Sequence, residues 1–174
     1  LRPRIPACQY RRTAPQEERS NVMSPEIMTA LGKAGGVAAV AFAGIGSALG
    51  TGAAGMAAIG AWKKCYAQSK NAPFQLLVYI GAPLTQIIYG MILMITIKGK
   101  AVDAGAGDWP GMLMAGVVGG LAMGMSAWMQ GRAGAAGSDA LAETGEGFVN
   151  YLMALGIIET VALFVMVFIM SLAF

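Results

Sequence analysis

One carboxylate in this sequence stands where a charge is costly. Glu159 falls near the middle of FVNYLMALGIIETVALFVMVFIMSLAF, residues 148–174, a run otherwise almost unbroken in apolar residues. A helix needs about 20 such residues to cross a hydrocarbon core of roughly 30 Å, so the run is long enough to span a bilayer. A charged acid at mid-bilayer costs roughly 2.5 to 3.5 kcal/mol on insertion scales, and Glu159 is too central to reach an interface. It is therefore expected to be protonated, paired or bound to a cation. Every other Asp and Glu lies in the N-terminal segment or between apolar runs, which makes Glu159 the single acid within a span.

Other oxygens fall on matching positions. Ala82, Thr85, Gln86 and Tyr89 stand at i, i+3, i+4 and i+7, one face of a helix, and the last three carry side-chain oxygens. Gln130 adds an amide among Met, Ala and Gly neighbours. Ala82 can offer its backbone carbonyl, because the ring of Pro83 disturbs the helix locally. Singly, each polar residue reads as packing glue worth about 1 kcal/mol. Jointly with the lone acid they read as a site for a small hard cation: Glu159, Gln130, Gln86, Thr85 and Ala82 supply oxygens, and Tyr89 donates to the carboxylate and holds its orientation. Na⁺ is expected in preference to H⁺. A proton carrier needs a carboxyl and one hydrogen-bond partner, and further neutral oxygens are costly to bury without a purpose. The alternative is a protonated Glu159 hydrogen-bonded by the same amides.

The elements that must position these residues are four apolar runs at about 35–62, 73–97, 110–137 and 148–174, joined by polar connections at 62–73, 98–110 and 137–147. The expected fold is an all-α membrane protein of four transmembrane helices. Its parts would be an N-terminal tail over 1–34, a first hairpin over 35–97, a connecting loop over 98–109 and a second hairpin over 110–174. Hydrophobic content of 56%, 25 glycines and no histidine fit a membrane chain better than a soluble α/β domain. Runs one and three are dominated by Gly and Ala, which lets helix backbones approach closely in lipid; runs two and four are bulky and are expected outside. So many glycines suit protomers crowded round an axis, from which a homo-oligomeric ring is inferred. The halves also repeat: Gly50-Thr51-Gly52-Ala53-Ala54-Gly55 aligns with residues 131–137, and Gln86 falls where the second copy has Glu159.

Much else is excluded. Five of six arginines lie in the first 19 residues, so the net charge of +3 marks no nucleic-acid surface. Residues 1–22 are polar and basic without the apolar middle of a secretory signal, and are expected to be a disordered extension with no role in the fold. Cys8 and Cys65 are too few for a disulfide framework or a zinc site. Both are expected as free thiols, Cys65 in a loop open to the cytoplasmic side only. Residues 50–55 satisfy GxGxxG, but a dinucleotide site needs a preceding strand, and here the motif lies inside an apolar helix; no nucleotide is expected on this chain. Lys63, Lys64 and Lys70 point to a cytoplasmic 62–73 connection. Trp128 and Arg132 are read as interfacial.

Over residues 34–174 the chain resembles the rotor-ring proteolipid of V-type and A-type ATPases in its duplicated four-helix form. The resemblance rests on GIGSALGTGAAG, on Pro83-x-Thr85-Gln86-x-x-Tyr89-Gly90, on Gln130-Gly131-Arg132-Ala133 and on Glu159-Thr160. It implies side-chain ligation of Na⁺ at Thr85, Gln86, Gln130 and Glu159, a carbonyl ligand at Ala82, where the family usually has a larger residue, and support of the carboxylate by Tyr89. It also implies a ring in a prokaryotic plasma membrane, a stator membrane protein that presents an arginine, and a central stalk at the cytoplasmic loops. ATP would be made or consumed by other subunits. Two rivals come from other classes. A small multidrug-type exporter would carry its acid in the first helix and lack the duplication, and a structural membrane oligomer would leave the polar set without a use.

Overall fold

The computed structural model describes residues 23–103 and 108–172. The expectation for residues 1–22, Cys8 included, lies outside the described residues, as does the part of the connecting loop at 104–107. The described chain is helical throughout: α1 (Pro25–Ala67), α2 (Leu76–Gly81), a 3₁₀ turn (Ala82–Leu84), α3 (Thr85–Asp103), α4 (Trp109–Thr144) and α5 (Phe148–Leu172). Helix α2, the turn and α3 form one span, and all four spans are long and apolar enough to cross a membrane.

The ends follow local chemistry. Ser24 caps α1, its hydroxyl accepting from the Ile27 N–H at 3.4 Å, and Pro25 occupies the first turn, where its missing N–H costs nothing. Gly145 ends α4 with a left-handed φ of 72° while its N–H donates to Leu141, the glycine-terminated form of helix end. Two helices outrun their apolar stretches. At 43 and 36 residues, α1 and α4 measure about 65 and 54 Å at 1.5 Å per residue, against roughly 30 Å of hydrocarbon. Hydropathy stops before the helix does, because Ala, Leu, Lys and Glu are good helix formers in water too. The expected connections therefore shrink, and only residues 145–147 separate α4 from α5.

This corrects the placement of Cys65. It lies in the last turns of α1, is buried, and has its sulfur 4.0 Å from the Ala142 carbonyl oxygen. Its thiol is enclosed within the protein, and the exposed Ser69 beyond the helix is the better reporter of sidedness.

Helices α1 and α4 lie side by side and parallel at the centre. Gly35 meets Gly116, Gly46 meets Gly124 and Gly50 meets Gly131, backbone against backbone, so that a Cβ at Gly46 or Gly131 would overlap the opposite main chain. Helix α3 runs antiparallel to α1, with Gly36 against Met94, Gly44 against Ile87 and Gly50 against Pro83. Much of the glycine content is thus consumed inside one chain. The inference of a ring from glycine density alone loses its force, although Gly52, Gly60 and Gly156 face open space. Helix α5 packs through a narrow stripe, with Leu155 and Ala162 buried, and leaves Met153, Ile157, Val161, Phe164 and Phe168 exposed, as a helix facing lipid does.

Two apolar clusters result. One joins Ala39, Leu93, Ile97, Met112, Met123 and Ala162; the other joins Ala58, Leu76, Tyr79, Leu141 and Leu155. Between them lies a polar layer.

Candidate functional site

That layer is built where the first outer span breaks. Pro83 has no N–H to give the Tyr79 carbonyl, and the chain tightens into a 3₁₀ turn in which the Thr85 N–H donates to the Ala82 carbonyl. The Thr85 hydroxyl lies 3.1 Å from that same carbonyl oxygen and 3.2 Å from Gln86 Oε1, and its single proton serves one of them at a time. Oxygens of Ala82, Thr85 and Gln86 converge there.

Gln86 and Gln130 are fully buried, and the Gln86 amide donates through Nε2 to Gln130 Oε1 at 2.8 Å. With its oxygen so engaged, Gln130 turns Nε2 toward α5, donating to the Leu155 carbonyl at 3.0 Å and to Glu159 Oε2 at 3.2 Å. Tyr89 donates its hydroxyl to Glu159 Oε1 at 2.8 Å. Each carboxylate oxygen therefore has one donor, and the half-buried Glu159 is held from two other helices. A hydrogen bond to a charged group contributes about 1.5–3 kcal/mol, which offsets much of the cost of a carboxylate at this depth.

The six residues singled out in the sequence are brought together. Tyr89 holds the carboxylate as its position suggested. Gln130 presents a nitrogen to Glu159, where the sequence leads one to expect an oxygen ligand. The two amides form a head-to-tail chain, and amide nitrogen and oxygen are nearly equal in size, so the chain fills the same volume in either polarity. Facing an oxygen of Gln130 toward Glu159 requires Gln86 to turn as well.

Two participants were not singled out in the sequence. Ser126 donates to the Ile158 carbonyl at 2.8 Å, and the Leu155 carbonyl accepts from Gln130. Ser126 was legible, standing four residues before Gln130 on the same face; a helix carbonyl such as that of Leu155 leaves no trace in residue types.

Fold and site together define a multi-pass membrane protein with one carboxylate fixed at mid-span by donors from neighbouring helices. Residues 113–172 match the family model for the C subunit of ATP synthase. The match supports the rotor-proteolipid resemblance for α4 and α5, which carry Gln130 and Glu159, and leaves Ala82, Thr85, Gln86 and Tyr89 outside it. No curated protein matches the chain.

Proposed function

We propose that this chain is the ion-carrying protomer of the membrane rotor ring of a V/A-type rotary ATPase, in a duplicated four-helix form, and that Glu159 carries Na⁺ in preference to H⁺. The observation that carries the proposal is the position of Glu159: at mid-span on α5, inside the segment similar to the ATP synthase C subunit, with Tyr89 on one oxygen and Gln130 on the other. The parallel packing of α1 on α4, each followed by an antiparallel outer span, supports the duplication. Neighbouring copies would close the ring through the exposed faces. The cytoplasmic loops would meet a central stalk, and a stator arginine would displace the ion from Glu159 as each copy passes. Nucleotide chemistry belongs to other subunits.

For Na⁺, the Thr85 hydroxyl and the Ala82 carbonyl supply neutral oxygens in either polarity of the amide chain; Gln86 Oε1 lies beside them in the present polarity, and Gln130 Oε1 faces Glu159 in the reversed one. The second reading is H⁺, favoured by the present polarity of Gln130, which suits a carboxyl needing hydrogen-bond partners more than a cation needing oxygens. A carbodiimide separates the two readings, because it attacks the protonated acid. Na⁺ at neutral pH should protect Glu159 from labelling, and Gln130→Ala should weaken that protection. Labelling indifferent to millimolar Na⁺ would assign the site to protons.

A further inference from the structure

Helix α5 carries Glu159 but has little of its own to fix which way the acid points. Between Phe148 and Leu172 its side chains are apolar on every face, apart from Asn150, Tyr151, Glu159, Thr160 and Ser171. Lipid tails are as apolar as Leu, so turning such a helix about its axis exchanges one apolar surface for another at no hydrophobic cost. The turn matters to the site. Side-chain ends lie about 5–6 Å from a helix axis, so a turn of about 20° carries Glu159 through roughly 2 Å. That is enough to part it from the Tyr89 hydroxyl, which donates to it at 2.8 Å.

Ser126 supplies a stop. A serine or threonine hydroxyl within a helix can donate to its own carbonyl one turn back, and Thr96, Ser138, Thr144 and Ser171 all do so, at 2.8–3.1 Å. Ser126 does not. It is buried and reaches across to α5, donating at 2.8 Å to the carbonyl of Ile158, the residue directly before Glu159. Four residues on, Gln130 donates to the Leu155 carbonyl at 3.0 Å. Residues 126 and 130 stand one turn apart on α4, and 155 and 158 nearly one turn apart on α5, so the two bonds hold one side of α5 at two levels. A backbone carbonyl turns with its helix, whereas a side chain can change rotamer, so these bonds fix the helix itself. Gln130 also touches the acid, and Ser126 does not.

We propose that Ser126 is a positioning residue that sets the rotation of α5, and through it the direction of Glu159, by binding a backbone carbonyl and not the carboxylate. The proposal rests on Glu159 as the ion-carrying acid and holds for either ion. With the Ile158 carbonyl released, α5 turns against α4 and the acid spends more of its time facing lipid, away from Tyr89 and Gln130.

The test uses the full-length protein in lipid vesicles and the pair Ser126→Thr and Ser126→Val, which share a shape and differ in the hydroxyl, with Ser126→Ala beside them. Two quantities are read: the rate constant at which a lipid-soluble carbodiimide labels Glu159 without Na⁺, and the Na⁺ concentration that gives half protection. Ser126→Ala and Ser126→Val should raise both about three- to fivefold, as the loss of one neutral interhelical hydrogen bond implies, and Ser126→Thr should stay near the wild type. Neither quantity depends on how much folded protein is recovered, so a general loss of stability would leave both unmoved. Equal behaviour of Ser126→Thr and Ser126→Val, or labelling of Ser126→Ala at the wild-type rate, overturns the proposal. Should the added methyl keep both isosteres from folding, Ser126→Ala decides alone. Wild-type labelling indifferent to Na⁺ overturns the ion assignment instead, and the Na⁺-free rate then decides the role of Ser126.

Discussion

The two hairpins share a plan and differ at one level. In the second, α5 is continuous and carries Glu159, half-exposed; in the first, the outer span breaks at Pro83 and carries Gln86, fully buried. Both side chains reach Gln130. A carboxylate in lipid needs donors and oxygens that its own intact helix cannot give, since every backbone group there is already paired. The broken helix supplies them: the 3₁₀ turn brings the Ala82 carbonyl and the Thr85 hydroxyl together, and Tyr89 one turn on reaches the acid. The second hairpin holds the acid and one of its donors, Gln130, and the first adds the other, Tyr89.

Four experiments would break or sharpen that contrast. The largest effect is expected from Glu159→Gln, which should bring ion transport to background while the protein still assembles, since removing a charge from lipid does not hurt folding. Transport measured in vesicles that survived this change would remove Glu159 from the carrier role. Next comes the seam that holds the hairpins together. Gly46→Leu places a side chain on the Gly124 backbone and should cost about 1–3 kcal/mol or more, the penalty of an overpacked core, whereas Gly52→Leu should be tolerated. Comparable yields of folded protein for the two variants would refute the close contact.

Tyr89→Phe removes the donor to Glu159 Oε1 and should weaken Na⁺ protection against carbodiimide about tenfold, in line with about 1.5–3 kcal/mol for a hydrogen bond to a charged group. Protection unchanged in this variant would leave Tyr89 a packing residue. The smallest effect is expected from Pro83→Ala, which lets the outer span close its helix and draws the Ala82 carbonyl back into the ladder. Protection should fall only a few-fold, the equivalent of one neutral hydrogen bond at about 1 kcal/mol. A loss as deep as that of Tyr89→Phe would make the break itself the main determinant.

The fold class and the core of the site were legible because both rest on residue type and period. A lone acid in an apolar run and a polar face at i, i+3, i+4 and i+7 survive as patterns before any tertiary contact forms. Helix ends were less legible: the hydropathy that marks a span ends at the interface, but α1 and α4 continue into water, which carried Cys65 from an expected loop into a buried helical turn. The polarity of the amide chain was hidden as well. Gln130 can give nitrogen or oxygen to Glu159, and the Leu155 carbonyl, which can only accept, selects the nitrogen. Glycine misled in a different way, since a small residue records that something comes close without saying whether the neighbour belongs to the same chain.

The seam between α1 and α4 has a mechanical side. Where side chains interdigitate, a lateral load can be absorbed by rotamer changes; where main chain lies on main chain at Gly35, Gly46 and Gly50, no such soft layer intervenes. The two hairpins should move as one stiff unit, and in a rotor the elastic compliance that smooths torque would have to reside between protomers or in the attached stalk.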